Sequence, residues 1–385
     1  MKAVVLGGAG VMGSYAVERL SKSSIFSEIM VADIDEERAR KISEKSEKLG
    51  YTKVDATDKE DLSRVIKGAD VVVNCIGPFY KFAPRILETA IENSVDYVDI
   101  CDDYDATEKL IDDFDAKAAD AGVTCIVGLG ASPGITNVIA AYASSMLTSV
   151  EEIKIYVTRG IEEAAGGAIP YHMLHCWLGD IPIYKDGTHR KAKGLVDGEE
   201  YAKFPEPFGG AKVYYFGHPE TVTLPRYIEG VKNVCCKGTF FPSEFRDVLL
   251  QVHSLGLLSE KPINVKGNEV APLDFMASFI PSMQKQIGAM GYKAPEGGAV
   301  MVEVKGEHNS QPKVYTFAGT SHMREGTATP VAIGAEMIAD GTIKSPGVKA
   351  PEACVPPKKF INVLLEDELF GDVWMGVTEK IEGQL

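Results

Sequence analysis

The sequence predicts an α/β protein in which a doubly wound parallel sheet is joined to an inserted α/β domain with a mixed sheet. Three features predict this fold. A glycine-rich turn joins the first apolar strand to a helix, six short apolar strands alternate with helical stretches, and alternation of apolar and polar residues begins near residue 136. We expect the first domain over residues 1–135, the second over 136–325, and a C-terminal segment over 326–385 whose helix packs back on the first domain.

The glycine-rich turn is the strongest motif of the chain. The first strand, residues 2–6, runs into Gly8, Gly10 and Gly13, which have the G-x-G-x-x-G spacing, and a helix opens at Val11 and Met12. Gly8 would permit the tight turn, Gly10 would let the backbone approach a pyrophosphate, and Gly13 would let helix and strand pack closely. The pattern predicts a Rossmann domain that binds a dinucleotide through these five residues. The alternative is a glycine turn in an α/β domain without a ligand.

An acidic residue ends the second strand at the distance that this motif expects. Residues 28–32 form that strand, and Asp33 follows 20 residues after Gly13. Its carboxylate would accept hydrogen bonds from the adenosine ribose and would repel a 2′-phosphate. Because residues 34–37 contain no arginine, the sequence favours NAD over NADP as the cofactor.

The rest of the first domain reads as alternating strands and helices. Further strands are predicted over residues 52–54, 69–75, 96–100 and 123–127, and helices over 36–49, 59–66, 84–93 and 106–121. The loops that follow the strands should meet in one crevice, at the carboxyl edge of the sheet. On these loops we expect Asp55, Asn74, Gly77 and Pro78 to contact the cofactor, and Ser132, Thr136 and Asn137 to bind a substrate carboxylate or carboxamide.

The second part begins with a predicted helix over residues 137–146. Alternating stretches then predict strands over 152–158, 212–216, 231–240, 300–304 and 313–317, and a helix over 327–338 carries small residues on one side. The loops over 159–230 suit a substrate-binding excursion. A substrate carboxylate there would need a cation, for which the candidates are Arg159, Arg226 and Arg246, with His172 and His218 behind them.

Composition limits the partners that we expect. The net charge is −15 with a pI near 5.0, and no basic cluster occurs, which disfavours nucleic acid and anionic membranes. No run of about 18 apolar residues exists, and the first strand follows Met1 directly, so we expect a cytoplasmic protein without a signal peptide. The seven cysteines include no C-x-x-C, and the histidines lack ligand spacing, so we expect buried thiols and no metal.

Several of these loops resemble the saccharopine dehydrogenase family. The resemblance is carried by Asn74 with GPFY at 77–80, DYVD at 96–99, GASPGITN at 130–137 and GTAT at 326–329. It implies a homodimer and reversible hydride transfer between a nicotinamide and the carbon of a C–N bond in an amino acid such as saccharopine or L-lysine. The family's NADP-using reductases tend to carry a basic or small residue where this chain has Asp33.

Amine oxidation, as the resemblance implies it, needs a general base near the reacting carbon. The candidates are Asp102, Asp103 and Tyr80, and two adjacent carboxylates could raise the pKa of one of them. The alternative is that residues 102–105 cap the following helix, with Asp105 the best cap and Asp102 the best base.

Two other functions remain open from the sequence alone. One is a polyamine dehydrogenase that resembles carboxynorspermidine dehydrogenases, and the other is a dinucleotide-sensing protein without turnover. Tyr80, Asp102, Asp103, Thr136 and Asn137 are all polar, which favours an enzyme. The loops that would decide the substrate contain no readable motif.

Overall fold

A seven-stranded sheet, parallel throughout, forms the first domain of the computed structural model. The structure describes residues 1–160, 169–279 and 295–367 and the backbone of Gly376–Ile381. The sheet strands are β1 (Lys2–Leu6), β2 (Glu28–Asp33), β3 (Leu49–Lys53), β4 (Val71–Asn74), β5 (Asp96–Asp99), β6 (Thr124–Ile126) and β17 (Gly347–Lys349), in the order β17-β6-β5-β4-β1-β2-β3. The reversal of strand order beside β1 is that of a Rossmann fold, which confirms the predicted class.

Helices cover both faces of this sheet, so its central strands are apolar on both sides. They are α1 (Val11–Ser21), α2 (Glu36–Ser43), α3 (Lys59–Ile66), α4 (Phe79–Glu92) and α5 (Tyr104–Asp120). The predicted helix over 36–49 was too long, because the chain enters β3 at Leu49. The predicted start of α4 at Pro84 was also wrong: Phe79 and Ala83 are buried on the same face as Ile86, and the helix begins before the proline.

The second domain is a mixed sheet of nine strands. They are β7 (Ser149–Gly160), β8 (Asp180–Lys185), β9 (Thr188–Lys193), β10 (Glu200–Lys203), β11 (Gly210–Phe216), β12 (Asn233–Phe241), β15 (Gly298–His308), β16 (Gln311–Ser321) and β18 (Gly376–Ile381). The main path is β10-β11-β12-β7-β15-β16-β18, in which β12 and β7 are parallel and the other pairs antiparallel. The neighbouring elements are α6 (Ile135–Ser145), α7 (Ile169–Trp177), α8 (Glu220–Tyr227), α9 (Glu244–Ser254) and the hairpin β13 (Ile263–Val265) and β14 (Asn268–Val270).

Part of the C-terminal segment packs on the first domain, whereas its last strand, β18, joins the second sheet. Its long helix α10 (Met323–Ala339) packs on α1 and beneath β4 and β5, and Gly334 leaves just enough room for the Leu129 side chain. Arg19 on α1 forms a bidentate pair with Glu336, with both N–O distances 2.8 Å, and also contacts Asp367. The seventh strand β17, absent from the prediction, pairs with β6, and the short helices α11 (Pro351–Cys354) and α12 (Pro357–Glu366) follow.

Candidate active site

A cleft lies between the carboxyl edge of the Rossmann sheet and the second sheet. One wall is made by the loops after β4, β5 and β6, and the other by the adjoining ends of β7, β15 and β16 with the start of α10. The lining includes Met12, Cys75, Gly77, Pro78, Ile100, Asp102, Asp103, Gly130, Ser132, Thr158, Arg159, His172, Ala299, Thr320, Ser321 and Thr327. The loops after β4, β5 and β6 therefore meet in one crevice, as predicted, whereas the loop after β3 does not line it.

The glycine turn forms a cradle of bare backbone at one end of this cleft. Gly7, with φ +72°, adopts the left-handed conformation, and Gly8 lies inside the turn that the Gly10 N–H closes on the Gly7 carbonyl oxygen at 2.9 Å. A Cβ at Gly13 would overlap the carbonyl oxygen of Gly7, which confirms the close packing predicted there. Helix α1 begins at Val11 behind Gly10 without a side-chain cap, so its first N–H groups are left for phosphate oxygens. The cradle fits a dinucleotide pyrophosphate.

Asp33 ties this cradle to the second strand. Its Oδ2 accepts a hydrogen bond from the Ala9 N–H at 2.9 Å, and its Oδ1 accepts one from the Asp35 N–H at 3.0 Å. Asp35 in turn caps α2 by accepting from the Arg38 N–H. The carboxylate therefore sits at the end of β2 beside the glycine turn, where the motif expects it.

The other predicted cofactor contacts divide into two groups. Gly77 and Pro78 line the cleft, as expected. The amide of Asn74 is instead fully buried, donating to the Tyr97 hydroxyl at 2.9 Å and accepting from the Ile76 N–H, so it shapes the loop from within. The Asp55 carboxylate accepts from the N–H and the hydroxyl of Thr57 and closes its own turn.

A buried carboxylate–imidazole pair lies in the wall of the cleft. Asp103 is completely buried; its Oδ2 accepts from the Tyr80 N–H at 3.1 Å, and its Oδ1 lies 3.1 Å from His172 Nδ1. Asp102 Oδ1 lies 3.2 Å from the same nitrogen. The other ring nitrogen, His172 Nε2, is buried and has no hydrogen-bond partner among the described residues. An imidazole held in this way can exchange a proton with a ligand in the cleft.

The charges around His172 set its protonation. Burial alone would lower the pKa of His172, but the facing carboxylates, Asp102 foremost, outweigh it and hold that pKa well above the ordinary value. Burial would conversely raise the pKa of Asp103, but its hydrogen bond to His172, the charge of that ring and the Tyr80 N–H lower it. The pair therefore holds a proton on the imidazole with a charged carboxylate beside it.

Tyr80 and Asp105 do not have the roles predicted for them. Tyr80 lies in the first turn of α4 rather than on a loop, and its ring stacks on His175 with centroids 5.2 Å apart, outside the cleft lining. Burial raises the pKa of its hydroxyl to about 12, which makes it a poor base near neutrality. The N-cap of α5 is Asp103, not Asp105, whose carboxylate contacts His175 Nε2 at 3.0 Å.

Behind Ser132 lies a second buried acid–histidine pair, which the sequence does not predict. Glu220, on the first turn of α8, is fully buried, and its Oε2 lies 2.6 Å from His218 Nδ1. The hydroxyls of Ser132 and Thr136 donate to Glu220 Oε1 at 2.6 and 2.7 Å. Burial opposes ionisation of Glu220, but His218 and the two hydroxyls lower its pKa. The rings of His172 and His218 meet edge to face with centroids 5.8 Å apart.

Of the predicted substrate ligands, the structure brings three to the cleft. Ser132, Arg159 and His172 line it, whereas Thr136 and Asn137 are fully buried behind it. The Asn137 amide donates to Glu352 Oε2 at 2.8 Å, and its carbonyl oxygen caps the Gly134 N–H. The other two candidate arginines lie elsewhere: Arg226 pairs with Asp112, and Arg246 stacks on Tyr214.

Two groups of potential metal ligands occur among the described residues. Asp103, His172 and Cys176 form one, and His218, Glu220 and Cys236 form the other. In each group the closest nitrogen–oxygen distance, 3.1 or 2.6 Å, is that of a hydrogen bond. Hydrogen bonding thus explains both arrangements without an ion, and the absence of a metal stays a prediction.

Two family models match consecutive parts of the chain. Residues 3–126 match the saccharopine dehydrogenase NADP binding domain, and residues 130–368 match the saccharopine dehydrogenase C-terminal domain. The chain belongs to the saccharopine dehydrogenase family. The resemblance seen in the strand-end loops is thereby confirmed, and with it an oxidoreductase that uses a nicotinamide dinucleotide.

Relatives within this family act on different substrates, to judge from their names. The carboxynorspermidine synthase of Vibrio cholerae is 25% identical over 319 residues, which cover 76% of this chain and 75% of the relative. The carboxyaminopropylagmatine dehydrogenase of Synechocystis is 23% identical over 396 residues, with 95% and 96% covered. The structure of the L-Glu-forming saccharopine dehydrogenase of Saccharomyces cerevisiae has a TM-score of 0.69 at 16% identity, covering 99% of this chain and all of that one, and so shows the same fold.

In the part of the chain described, no helix combines the length and apolar character that crossing a bilayer requires.

Proposed function

We propose that this protein is a dehydrogenase that oxidises a secondary amine carrying a carboxylate, and that His172 is its general acid–base. The observation that carries the proposal is the buried Asp103–His172 pair, whose Nε2 has no partner among the described residues although His172 lines the cleft beside the Rossmann loops. The nicotinamide, when bound, accepts the hydride. The relatives named above support an amine as the substrate.

The residues of the cleft supply the proton chemistry of this reaction. In oxidation, neutral His172 takes the proton of the substrate ammonium at Nε2, so that the nitrogen lone pair can form the C=N bond as hydride leaves. Asp103, and Asp102 beside it, stabilise the imidazolium that results. In the reverse direction the same imidazolium returns the proton to nitrogen. The Tyr80 N–H holds Asp103 in place for both directions.

The charges of the cleft favour a substrate with few carboxylates. Among the described lining residues, Asp102 and Asp103 are acidic and Arg159 is basic. This balance suits a polyamine that carries a carboxylate, as in the names of the two bacterial relatives. Saccharopine, which has more carboxylates, is the second candidate, supported by the fold of the yeast enzyme.

A substrate panel tests the proposal. Reduction of NAD and of NADP is followed with carboxynorspermidine, saccharopine and L-lysine, and we expect turnover with carboxynorspermidine. Turnover with saccharopine alone would reverse the order of the two candidates. Silence across the panel from a protein that still binds the cofactor by calorimetry would contradict the proposal and support the dinucleotide-sensing alternative.

We further propose that Asp33 selects NAD, although the family model is named for NADP. A 2′-phosphate at the end of β2 would face Asp33 and the acidic stretch Asp35, Glu36 and Glu37. Replacing Asp33 by Asn keeps an oxygen for the Ala9 N–H and removes the charge, so we expect NADP affinity to rise about tenfold relative to NAD. Calorimetry with both cofactors measures this ratio. An unchanged ratio in Asp33→Asn would contradict the role of Asp33.

The raised pKa of His172 predicts opposite pH profiles for the two directions. Oxidation needs neutral His172, whose fraction grows only as pH rises toward its raised pKa, so kcat/KM for amine oxidation should climb on the alkaline side. Reduction of the imine needs the protonated ring, and its rate should be flat at neutral pH and fall where oxidation rises. Initial rates in both directions across the pH range measure this. An alkaline limb that persists unchanged in His172→Gln would assign it to another group.

A further inference from the structure

The hydroxyl of Ser132 is held in one orientation by groups behind the cleft wall. Ser132 lines the cleft on the loop between β6 and α6, and its Oγ lies 2.6 Å from Glu220 Oε1. The second neighbour is His218 Nδ1, at 3.3 Å. Because Glu220 is completely buried and His218 nearly so, at 1% exposure, water does not compete for these contacts. The Ser132 side chain thus touches both the cleft and a closed polar cluster.

The protons of this cluster can be assigned from its donors. A serine hydroxyl has one proton to donate and two lone pairs to accept. Ionised Glu220 can only accept: its Oε1 takes the hydroxyls of Ser132 and Thr136, and its Oε2 faces His218 Nδ1 at 2.6 Å and the Cys236 thiol at 3.8 Å. The proton of Ser132 is therefore directed away from the cleft. What its oxygen presents to the cleft is a lone pair.

We infer that Ser132 is a hydrogen-bond acceptor for a substrate N–H group, and that this part of the cleft recognises an alkylammonium rather than a carboxylate. The inference rests on the proposed function for the choice of an amine as substrate. A carboxylate at this position would meet the Ser132 lone pair, with the Glu220 carboxylate directly behind it. This polarity is opposite to the one that a carboxylate needs, and a carboxylate was one of the two groups, with a carboxamide, that the sequence predicted at Ser132.

Thr136 provides a matched control. Its hydroxyl donates to the same oxygen of Glu220, at 2.7 Å, but Thr136 is completely buried and does not line the cleft. Thr136→Val and Ser132→Ala therefore each remove one donor from Glu220, and only the second changes the surface of the cleft. Ser132→Thr restores a hydroxyl at the cleft.

Binding of norspermidine and of succinate, measured by calorimetry with the cofactor present, tests the inference. We expect Ser132→Ala to weaken norspermidine about 10- to 100-fold, as for loss of a hydrogen bond to a charged group, and to leave succinate within about threefold. Thr136→Val should leave norspermidine within about threefold, and Ser132→Thr should recover most of the loss. Thermal unfolding of each variant identifies any that fails to fold.

Three results would overturn the inference. The first is that the wild type does not bind norspermidine, and the second is that folded Ser132→Ala binds norspermidine as strongly as the wild type. The third is a loss of succinate binding in that variant. Binding of norspermidine needs no hydride transfer, so the two proposals can fail separately. A protein that binds norspermidine through Ser132 but never reduces its cofactor would refute the proposed function and leave this inference valid.

Discussion

Replacing His172 by glutamine should lower amine turnover by about 10²- to 10⁴-fold, the range attributed to a positioned general acid–base. Glutamine is close in size and retains a side-chain amide for the contact with Asp103, whereas it cannot take up a proton near neutrality. The cradle that would hold the cofactor lies outside this contact, so cofactor affinity should stay near that of the wild type. Steady-state kinetics with carboxynorspermidine and calorimetry with the cofactor separate the two effects.

His175→Gln is the matched control for this variant. His175 lies on the same helix α7, and it also contacts a carboxylate, that of Asp105 at 3.0 Å, but it does not line the cleft. We expect its turnover to stay within about threefold of the wild type, since a surface ion pair contributes little. Equal losses in the two histidine variants would indicate that α7 acts through packing, and His172 would then lose its assigned role.

Replacing Gly13 by alanine should abolish most of the cofactor affinity. The added Cβ would overlap the Gly7 carbonyl, which is backbone and cannot move aside without shifting the turn. Overpacking of this kind destabilises the packed conformation by about 1–3 kcal/mol. If the cradle must adopt that conformation to bind the cofactor, cofactor binding weakens roughly 5- to 150-fold. Calorimetry with NAD and NADP measures the loss.

Ser14→Ala serves as the control for Gly13→Ala. Ser14 is the next residue of α1, and its hydroxyl donates to the Val11 carbonyl within the same helix. Its cofactor affinity should match that of the wild type. Wild-type affinity in a folded Gly13→Ala variant would show that the glycine turn tolerates a side chain, and the cradle would then need another explanation.

Much of the structure of the first domain could be predicted from local sequence patterns. The strand-end loops were predictable because parallel strands place their carboxyl ends on one edge, so that Pro78, Asp102 and Ser132 reach the same cleft from separate parts of the chain. The close packing at Gly13 was likewise predictable from the spacing. The spacing did not single out Gly7, the left-handed residue of the turn, because Gly7 lies just outside the motif.

The pairs that carry the proposed chemistry could not be assembled from the sequence. Asp103 and His172 are 69 residues apart in the sequence, and Ser132 and Glu220 are 88 residues apart. No local sequence pattern therefore predicts either contact. Glu220 carried no signal at all, since a single glutamate at the start of a helix usually reflects the helix dipole. His172 was available as a candidate, but only as a possible carboxylate ligand.

The sequence also did not predict which polar side chains point into the cleft. Tyr80, Thr136 and Asn137 were sensible candidates because they are polar residues on strand-end segments. The structure turns Thr136 and Asn137 inward to Glu220 and Glu352, and the Tyr80 ring outward to His175. Burial of a polar group requires an internal partner, and that partner is known only once the second domain is in place.

Transfer of deuterium tests the central claim most directly. Carboxynorspermidine labelled with deuterium at the carbons flanking its secondary amine is incubated with the wild-type protein and oxidised cofactor, and the reduced cofactor is analysed by mass spectrometry. We predict one deuterium in the reduced nicotinamide, formed by the wild type and by His175→Gln and almost lost in His172→Gln. Reduced cofactor without deuterium, or no reduction while both ligands bind, would contradict hydride transfer from a C–N carbon in this cleft.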